Sequence, residues 1–175
     1  MCDFNLSTNM LNASIVLYNP NWQEVSDLTA TLLQSKYVDH IYWIDNSPTS
    51  SCPQSIDTRV IYQHNQHNIG YGAAHNIAIR ESIYDNVPYH LVINPDIILN
   101  AKELEQMLQF ISSHPEVGSL MPKVVYPNGE LQYLCKLLPT PFDVFGRRFL
   151  PRQWMEHRNH TYEMRASGYN KLMNV

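Results

Sequence analysis

Apolar residues along this chain fall into two alternating patterns. Short unbroken runs, "ASIVLYN" (Ala13–Asn19), "HIYWIDNS" (His40–Ser47), "RVIYQHN" (Arg59–Asn65) and "YHLVIN" (Tyr89–Asn94), each end in polar residues and predict buried strands. Between them the apolar positions take helical spacing. Val25, Leu28 and Leu32 recur through residues 20–36, behind an Asn21–Glu24 pair that resembles a capping box. Ala74, Ile77 and Ala78 share one face of the segment opened by Gly70 and Gly72. Leu104, Met107, Leu108 and Ile111 form a stripe behind a second such pair, Asn100 and Glu103. The order β-α-β-β-α-β-α predicts an α/β fold with a mostly parallel sheet flanked by helices and right-handed crossovers. After Ser113 the regularity fades. "EVGSLMPKVVYPNGELQYLCKLLP" predicts short strands about a turn at Pro127-Asn128-Gly129. From Pro139 onward prolines, aromatics and arginines mix without a period, which predicts loop and short helix.

A length of 175 residues with 44% apolar content suits one globular domain, residues 1–175. Charge is unevenly spread. Residues 1–138 hold 6 Lys/Arg and 13 Asp/Glu, whereas residues 139–175 hold 6 and 3. That basic tail suits either a solvated surface or peripheral contact with anionic lipid. Three cysteines (Cys2, Cys52, Cys135) without CxxC spacing argue against a disulfide framework and a structural zinc site, and fit a reducing compartment. The N-terminus lacks the basic and apolar regions of a signal peptide, and no apolar stretch reaches the roughly 18 residues of a membrane span. A cytoplasmic protein, in peripheral contact with the inner face of the plasma membrane, is expected. Nothing in the composition points to nucleic acid.

In an open α/β sheet, ligands bind beyond the carboxyl ends of the strands. There the chain places Tyr18 and Asn19, then Asp45-Asn46-Ser47, then Asn65 to Gly72, then Asn94-Pro95-Asp96. Tyr18 suits ring stacking or a core position with its hydroxyl at the surface. Asp45 and Asn46 suit a plain turn or contacts to a base or ribose. Glycines before a helix expose N–H groups to phosphate, yet the dinucleotide fingerprint fails, because His75 stands at its third glycine. Pro95 ends the strand and leaves Asp96 at the rim. There a hard oxygen ligand suits Mg²⁺ or Mn²⁺ whose shell is completed by phosphate and water. His64 and His67 are expected at the surface or in structural contacts, since no third ligand is near in sequence.

"SIVLYN", "IDNS", N-x-G-x-G-x-x-x-N (Asn68, Gly70, Gly72, Asn76) and "NPD", in that order and spacing, resemble family 2 inverting glycosyltransferases of the GT-A fold. The subgroup most resembled is the bacterial rhamnosyltransferase-like enzymes of O-antigen and capsule assembly, to which "LLPTPFDVFGRRF" (Leu137–Phe149) is also similar. The resemblance implies a nucleotide-sugar-binding half over residues 13–100 and a partial acceptor-side half over 101–175. Tyr18 and Asp45 would contact the nucleotide base, and Asn68 to Gly72 would lie near the ribose and diphosphate. Asn19, Asn46, Asn76 and Asn94 would also belong to the nucleotide-sugar site. Asn94-Pro95-Asp96 would replace the family's Asp-x-Asp, with Asp96 the sole charged ligand of a weakly held Mg²⁺ or Mn²⁺. A nucleoside-diphosphate sugar and a lipid-linked glycan are the implied partners.

Family members normally continue through an acceptor segment with a late acidic motif that supplies the general base. No such pair is found here, and Glu156 and Glu163 stand in the wrong context. A C-terminally truncated fold that binds donor better than it turns it over is therefore expected, since a positioned base contributes about 10²–10⁴-fold. The alternative is an inactive nucleotide-sugar-binding fragment that self-associates into a homo-oligomer through uncovered apolar surface. A nucleotidylyltransferase would need a glycine-rich basic loop after the first strand, and "LYNPNWQEV" has neither glycine nor base.

Overall fold

The four apolar runs form four strands joined and followed by three helices. Their order is β1 (Leu11–Leu17), α1 (Trp22–Leu33), β2 (Val38–Asp45), β3 (Val60–His64), α2 (Tyr71–Tyr84), β4 (Tyr89–Ile93) and α3 (Ala101–Ser113), as the hydrophobic pattern predicts. The structure is a computed structural model and describes residues 9–134 and 162–165. The strands make one parallel sheet ordered β3-β2-β1-β4. Because every strand points the same way, all four carboxyl ends lie along one rim. The chain divides into two compact units, Met1–Gly118 and Ser119–Val175, and the sheet belongs to the first.

Period-2 alternation sorts the residues of β1 onto two unlike faces. Ala13, Ile15 and Leu17 join Val25, Leu28 and Leu32 of α1 and Leu104 and Leu108 of α3 in a dry apolar core. Asn12 and Ser14 point to the face covered by α2. There Tyr42, Ile44, Ala74 and Ala78 form a smaller cluster. A polar chain runs beside it. Asn12 Nδ2 donates to Ser82 Oγ (3.0 Å), and Ser82 donates to the Ala78 carbonyl (3.1 Å). His90 bridges Ser82 (2.7 Å) and Ser14 (2.8 Å), and His75 Nδ1 meets Ser14 at 2.7 Å. With the Ser82 proton spent on Ala78, His90 Nδ1–H must donate to Ser82. Ser14 then donates to His90 Nε2, and His75 Nδ1–H donates to Ser14. This leaves His75 Nε2 as a buried lone pair without a partner. Burial lowers His75 to about 4, and burial with the nearby His75 charge lowers His90 to about 4. Both are neutral near pH 7.

The helix starts follow the capping rules unequally. At α3 the reciprocal box is complete: Asn100 accepts from the Glu103 N–H (2.9 Å) and Glu103 accepts from the Asn100 N–H (3.1 Å). At α1, Asn21 caps the Gln23 N–H (3.1 Å), while Glu24 accepts from the Asn21 side chain (3.0 Å) and not from its backbone. The box is therefore closed through side chains there. α2 starts without a side-chain cap, from Gly70 at φ 91° and ψ 153°. That conformation is essentially reserved for glycine.

Among the described residues of the second unit the expected turn forms, but strands barely do. The Tyr126 N–H donates to Glu130 (2.7 Å) and the Gly129 N–H to Tyr126 (2.8 Å), with Gly129 at φ 85°. Val125 and Leu131 make a single antiparallel bridge. Pro127 removes a donor, and Val125 and Tyr126 stay about half exposed, so no covered face extends the ladder. Arg165 pairs with Glu163 (2.7 Å) and lies 5.0 Å over the Tyr133 ring. The segment Leu137–Phe149, Glu156 and most of the basic tail lie outside the described residues. Among the described residues no helix is long and apolar enough to cross a membrane.

Candidate functional site

The tips of β1, β2 and β3 are stitched into a hydrogen-bonded shelf. The chain leaves β1 through Asn19 at φ 47°, a left-handed position that asparagine tolerates. The Asn19 N–H donates to Ser47 Oγ at 2.7 Å, and the Asn46 N–H donates to the Leu17 carbonyl at 2.8 Å. Asn46 then reaches the other way. Its Oδ1 accepts from Asn65 Nδ2 (2.9 Å), and its Nδ2 donates to Asn68 Oδ1 (3.3 Å). Asn68 Oδ1 also accepts the Gly70 N–H at 2.8 Å, which fixes the glycine turn ahead of α2. His64 Nε2–H donates to the Ser47 carbonyl at 2.8 Å, so this histidine fastens the β2 tip to the β3 tip.

Asp45 lies beneath this shelf, fully buried. Its Oδ1 accepts the Ser47 N–H (2.8 Å) and its Oδ2 accepts the Tyr62 hydroxyl (2.7 Å). Burial, with the Asp45 carboxylate beside it, pushes the Tyr62 hydroxyl up to about 12. Tyr62 also meets Ser50 at 2.8 Å. In this conformation Asp45 shapes the rim through Ser47 and Tyr62. Tyr18 stands at the same rim with its ring 55% exposed, outside the core.

The β4 side of the rim is open by comparison. Asn94 and Asp96 are both exposed. Asn94 Oδ1 accepts the Tyr71 hydroxyl at 2.8 Å, which links the start of α2 to the end of β4. The Tyr71 ring meets His75 edge to face at 4.4 Å between centroids. Asp96 takes no hydrogen bond or ion pair among the described residues. It looks onto an open groove of about 290 Å³ whose far wall carries Glu24, Asp27 and Thr31 of α1. The charge of Asp96 reaches Tyr71, whose hydroxyl is raised by partial burial and then by that carboxylate.

The sequence-expected residues are thus drawn to one rim unequally. Asn46, Asn68 and Gly70 are joined by direct bonds, with Asn19 and Asp45 tied in through Ser47. Tyr18, Asn94 and Asp96 share the edge without touching that shelf, and Asn76 is exposed in the second turn of α2. Gly72 has a helical φ, and a Cβ there would meet nothing within 4 Å. Neither backbone strain nor crowding inside the protein asks for glycine at that position. Tyr62, Tyr71 and the Ser14–His75–His90 chain shape the site without having been marked by the sequence patterns, while His64, expected at the surface or in packing, fastens two strand tips. For Tyr62 and His64 a signal existed, since period 2 in β3 sets both on the face they share with Asp45 across the parallel register.

Among the described residues no group of three or more His, Cys, Asp or Glu side chains is placed to hold a metal ion. One exposed carboxylate suits a hard divalent cation when ligand phosphates and water fill the remaining positions. Asp96 fits that arrangement, and His64, turned to the Ser47 carbonyl, does not contribute to it. No curated protein matches the chain closely enough to add to this picture. The model of the family described as glycosyl transferase family 2 matches residues 14–174, nearly the whole chain, and with its parallel α/β sheet this protein belongs to that family, whose fold is GT-A.

Proposed function

We propose that this glycosyltransferase chain binds a nucleoside-diphosphate sugar along the carboxyl rim of its sheet and transfers the sugar, rhamnose by sequence resemblance, to a lipid-linked cell-surface glycan intermediate. The observation that carries the reading is the convergence of polar side chains from all four strand tips on one edge. Tyr18 would stack on the base, with Asn19 and Asn46 at the nucleoside. Asp45 would meet base or ribose where the part-exposed Ser50 and Tyr62 give way. Asn68, Gly70, Gly72 and Asn76 would follow the ribose and diphosphate, and the open space above Gly72 supports a close ligand approach there.

In an inverting transfer the acceptor hydroxyl attacks the anomeric carbon as the bond to the diphosphate oxygen breaks. The hydroxyl proton passes to a base. A Mg²⁺ or Mn²⁺ held by Asp96 would neutralise charge on the departing diphosphate. Calorimetry with dTDP and UDP, with and without Mn²⁺, tests the reading. We expect nucleotide binding that Mn²⁺ tightens in the native protein and leaves unchanged in Asp96→Ala. Identical affinities for the two proteins under both conditions would sink it.

A second reading has its own observation. Ile83 and Tyr84 at the end of α2 and Ile98 after β4 are 69%, 83% and 94% exposed. Apolar surface of that kind suits an inactive nucleotide-sugar-binding chain that self-associates and contacts a membrane surface peripherally. Light scattering on a size-exclusion column separates the readings, because a clean monomer with Mn²⁺-dependent nucleotide binding supports the first alone.

A further inference from the structure

The bond between Tyr71 and Asn94 decides what Asn94 can offer a ligand. Tyr71 is the first residue of α2, placed by the glycine-only conformation of Gly70 and by the Asn68 bond to the Gly70 N–H. Its ring has a fixed neighbour. His75 lies edge to face with it, and His75 is itself held at 2.7 Å to Ser14 on the central strand. The phenol has one proton, which a tyrosine hydroxyl keeps near pH 7. That proton points at Asn94 Oδ1, 2.8 Å away. The carboxamide nitrogen must then face away from Tyr71, carrying two N–H donors that meet no acceptor among the described residues. An amide nitrogen cannot ligate a cation, but it suits a phosphate oxygen.

We propose that Tyr71 is a positioning residue that turns the Asn94 amide nitrogen toward the bound ligand, making Asn94 a hydrogen-bond donor to the diphosphate and leaving Asp96 as the only side chain of the pair that meets a cation. This rests on the transferase reading above. It gives the two positions of the motif opposite jobs: one gives hydrogen bonds to the anion and the other takes a metal. The exchange of a carboxylate for a carboxamide at residue 94 is then a change of mechanism at that position, compensated by Tyr71.

Two measurements on the full 175-residue chain test it. The first needs no ligand. In ¹⁵N-labelled protein the Asn94 side-chain NH₂ should show no strong nuclear Overhauser contact to the Tyr71 ring, and a strong one overturns the orientation. The second is a double-mutant cycle read by calorimetry with dTDP and UDP. Tyr71→Phe should weaken binding by about 3- to 10-fold, equally with and without Mn²⁺. Tyr71→Phe combined with Asn94→Ala should lose no more than Asn94→Ala alone. Additive losses, or a Tyr71→Phe protein whose affinity gains more from Mn²⁺ than the native protein's, overturn the proposal. A native protein that binds no nucleoside diphosphate overturns the transferase reading and the ligand contact with it, while the nuclear Overhauser result still decides the orientation.

Discussion

The two ends of the rim are built on opposite principles. Around β2 and β3, Asp45, Asn46, Ser47, Asn65 and Asn68 satisfy one another, and Asp45, Asn46 and Ser47 are buried. At β4, among the described residues, the Asn94 side chain has one hydrogen bond and the Asp96 side chain has none, and both residues are exposed. The first arrangement holds a shape in the absence of any ligand. The second leaves its polar groups uncommitted. On the proposed transferase reading, a site that recognises a bulky nucleoside and also accommodates a changing charge gains from this division. Donors and acceptors already held in place need less reordering on binding, whereas a carboxylate kept in water avoids the desolvation that would otherwise oppose its charge.

Substitutions should read this contrast directly, and the largest effect falls on the closed end. Asp45→Ala strands the buried Ser47 N–H and leaves the Tyr62 hydroxyl with Ser50 as its remaining partner. A loss of about 2–4 kcal/mol is expected in urea unfolding. A loss under about 0.5 kcal/mol would mean that the shelf holds itself together without its central acceptor.

Acid should act about as strongly on each histidine of the face beneath α2. His75 and His90 titrate near 4 in the folded protein and near the ordinary 6.5 when unfolded. Below 6.5 the unfolded chain binds more protons, so stability falls as pH drops from about 6.5 to 4 and is flat above that window. The facing groups are Ser14 and Asn12 on β1, Ser82 and Tyr71 on α2, and Tyr42 on β2, none of them anionic near neutral pH. A loss on the order of 3 kcal/mol for each histidine is expected across the window, measured as unfolding free energy against pH. His90→Gln should flatten the curve.

Tyr62→Phe removes one hydroxyl from Asp45 and should cost about 1 kcal/mol. Thermal denaturation measures it, and the change should exceed that from Asp96→Ala, which is expected within about 0.5 kcal/mol of native. Equal losses at the two positions would erase the distinction between the ends of the rim. The smallest effect has the opposite sign. Gly72→Ala places a methyl in open space on a helical backbone and should stabilise the fold by about 0.4–1 kcal/mol. It should also weaken nucleotide binding, and a stabilised protein with unaltered dTDP affinity would show that nothing approaches Gly72.

Much of this architecture is legible in the chain because backbone periodicity carries it. β1 announces itself as an apolar run and α3 by its Asn100–Glu103 box and 104-107-108-111 stripe. Parallel order follows because strands alternating with helices leave few other ways to connect. The residues past Ser113 were less readable, since Val124, Val125 and Tyr126 have strand propensity but no covered face to pair on, and propensity alone does not extend a ladder.

Element order, the parallel sheet and the set of polar residues delivered to the strand tips follow from the order of amino acids, because these depend on local spacing and on rules of chain connection. Tertiary structure alone decided that Asp45 is buried under Ser47 and Tyr62, that Asn46 links three loops, and that Tyr71 reaches Asn94. Those outcomes depend on which side chains from positions 17 to 23 residues apart arrive within about 3 Å of each other, a distance set by strand register and helix placement and carried by no local pattern.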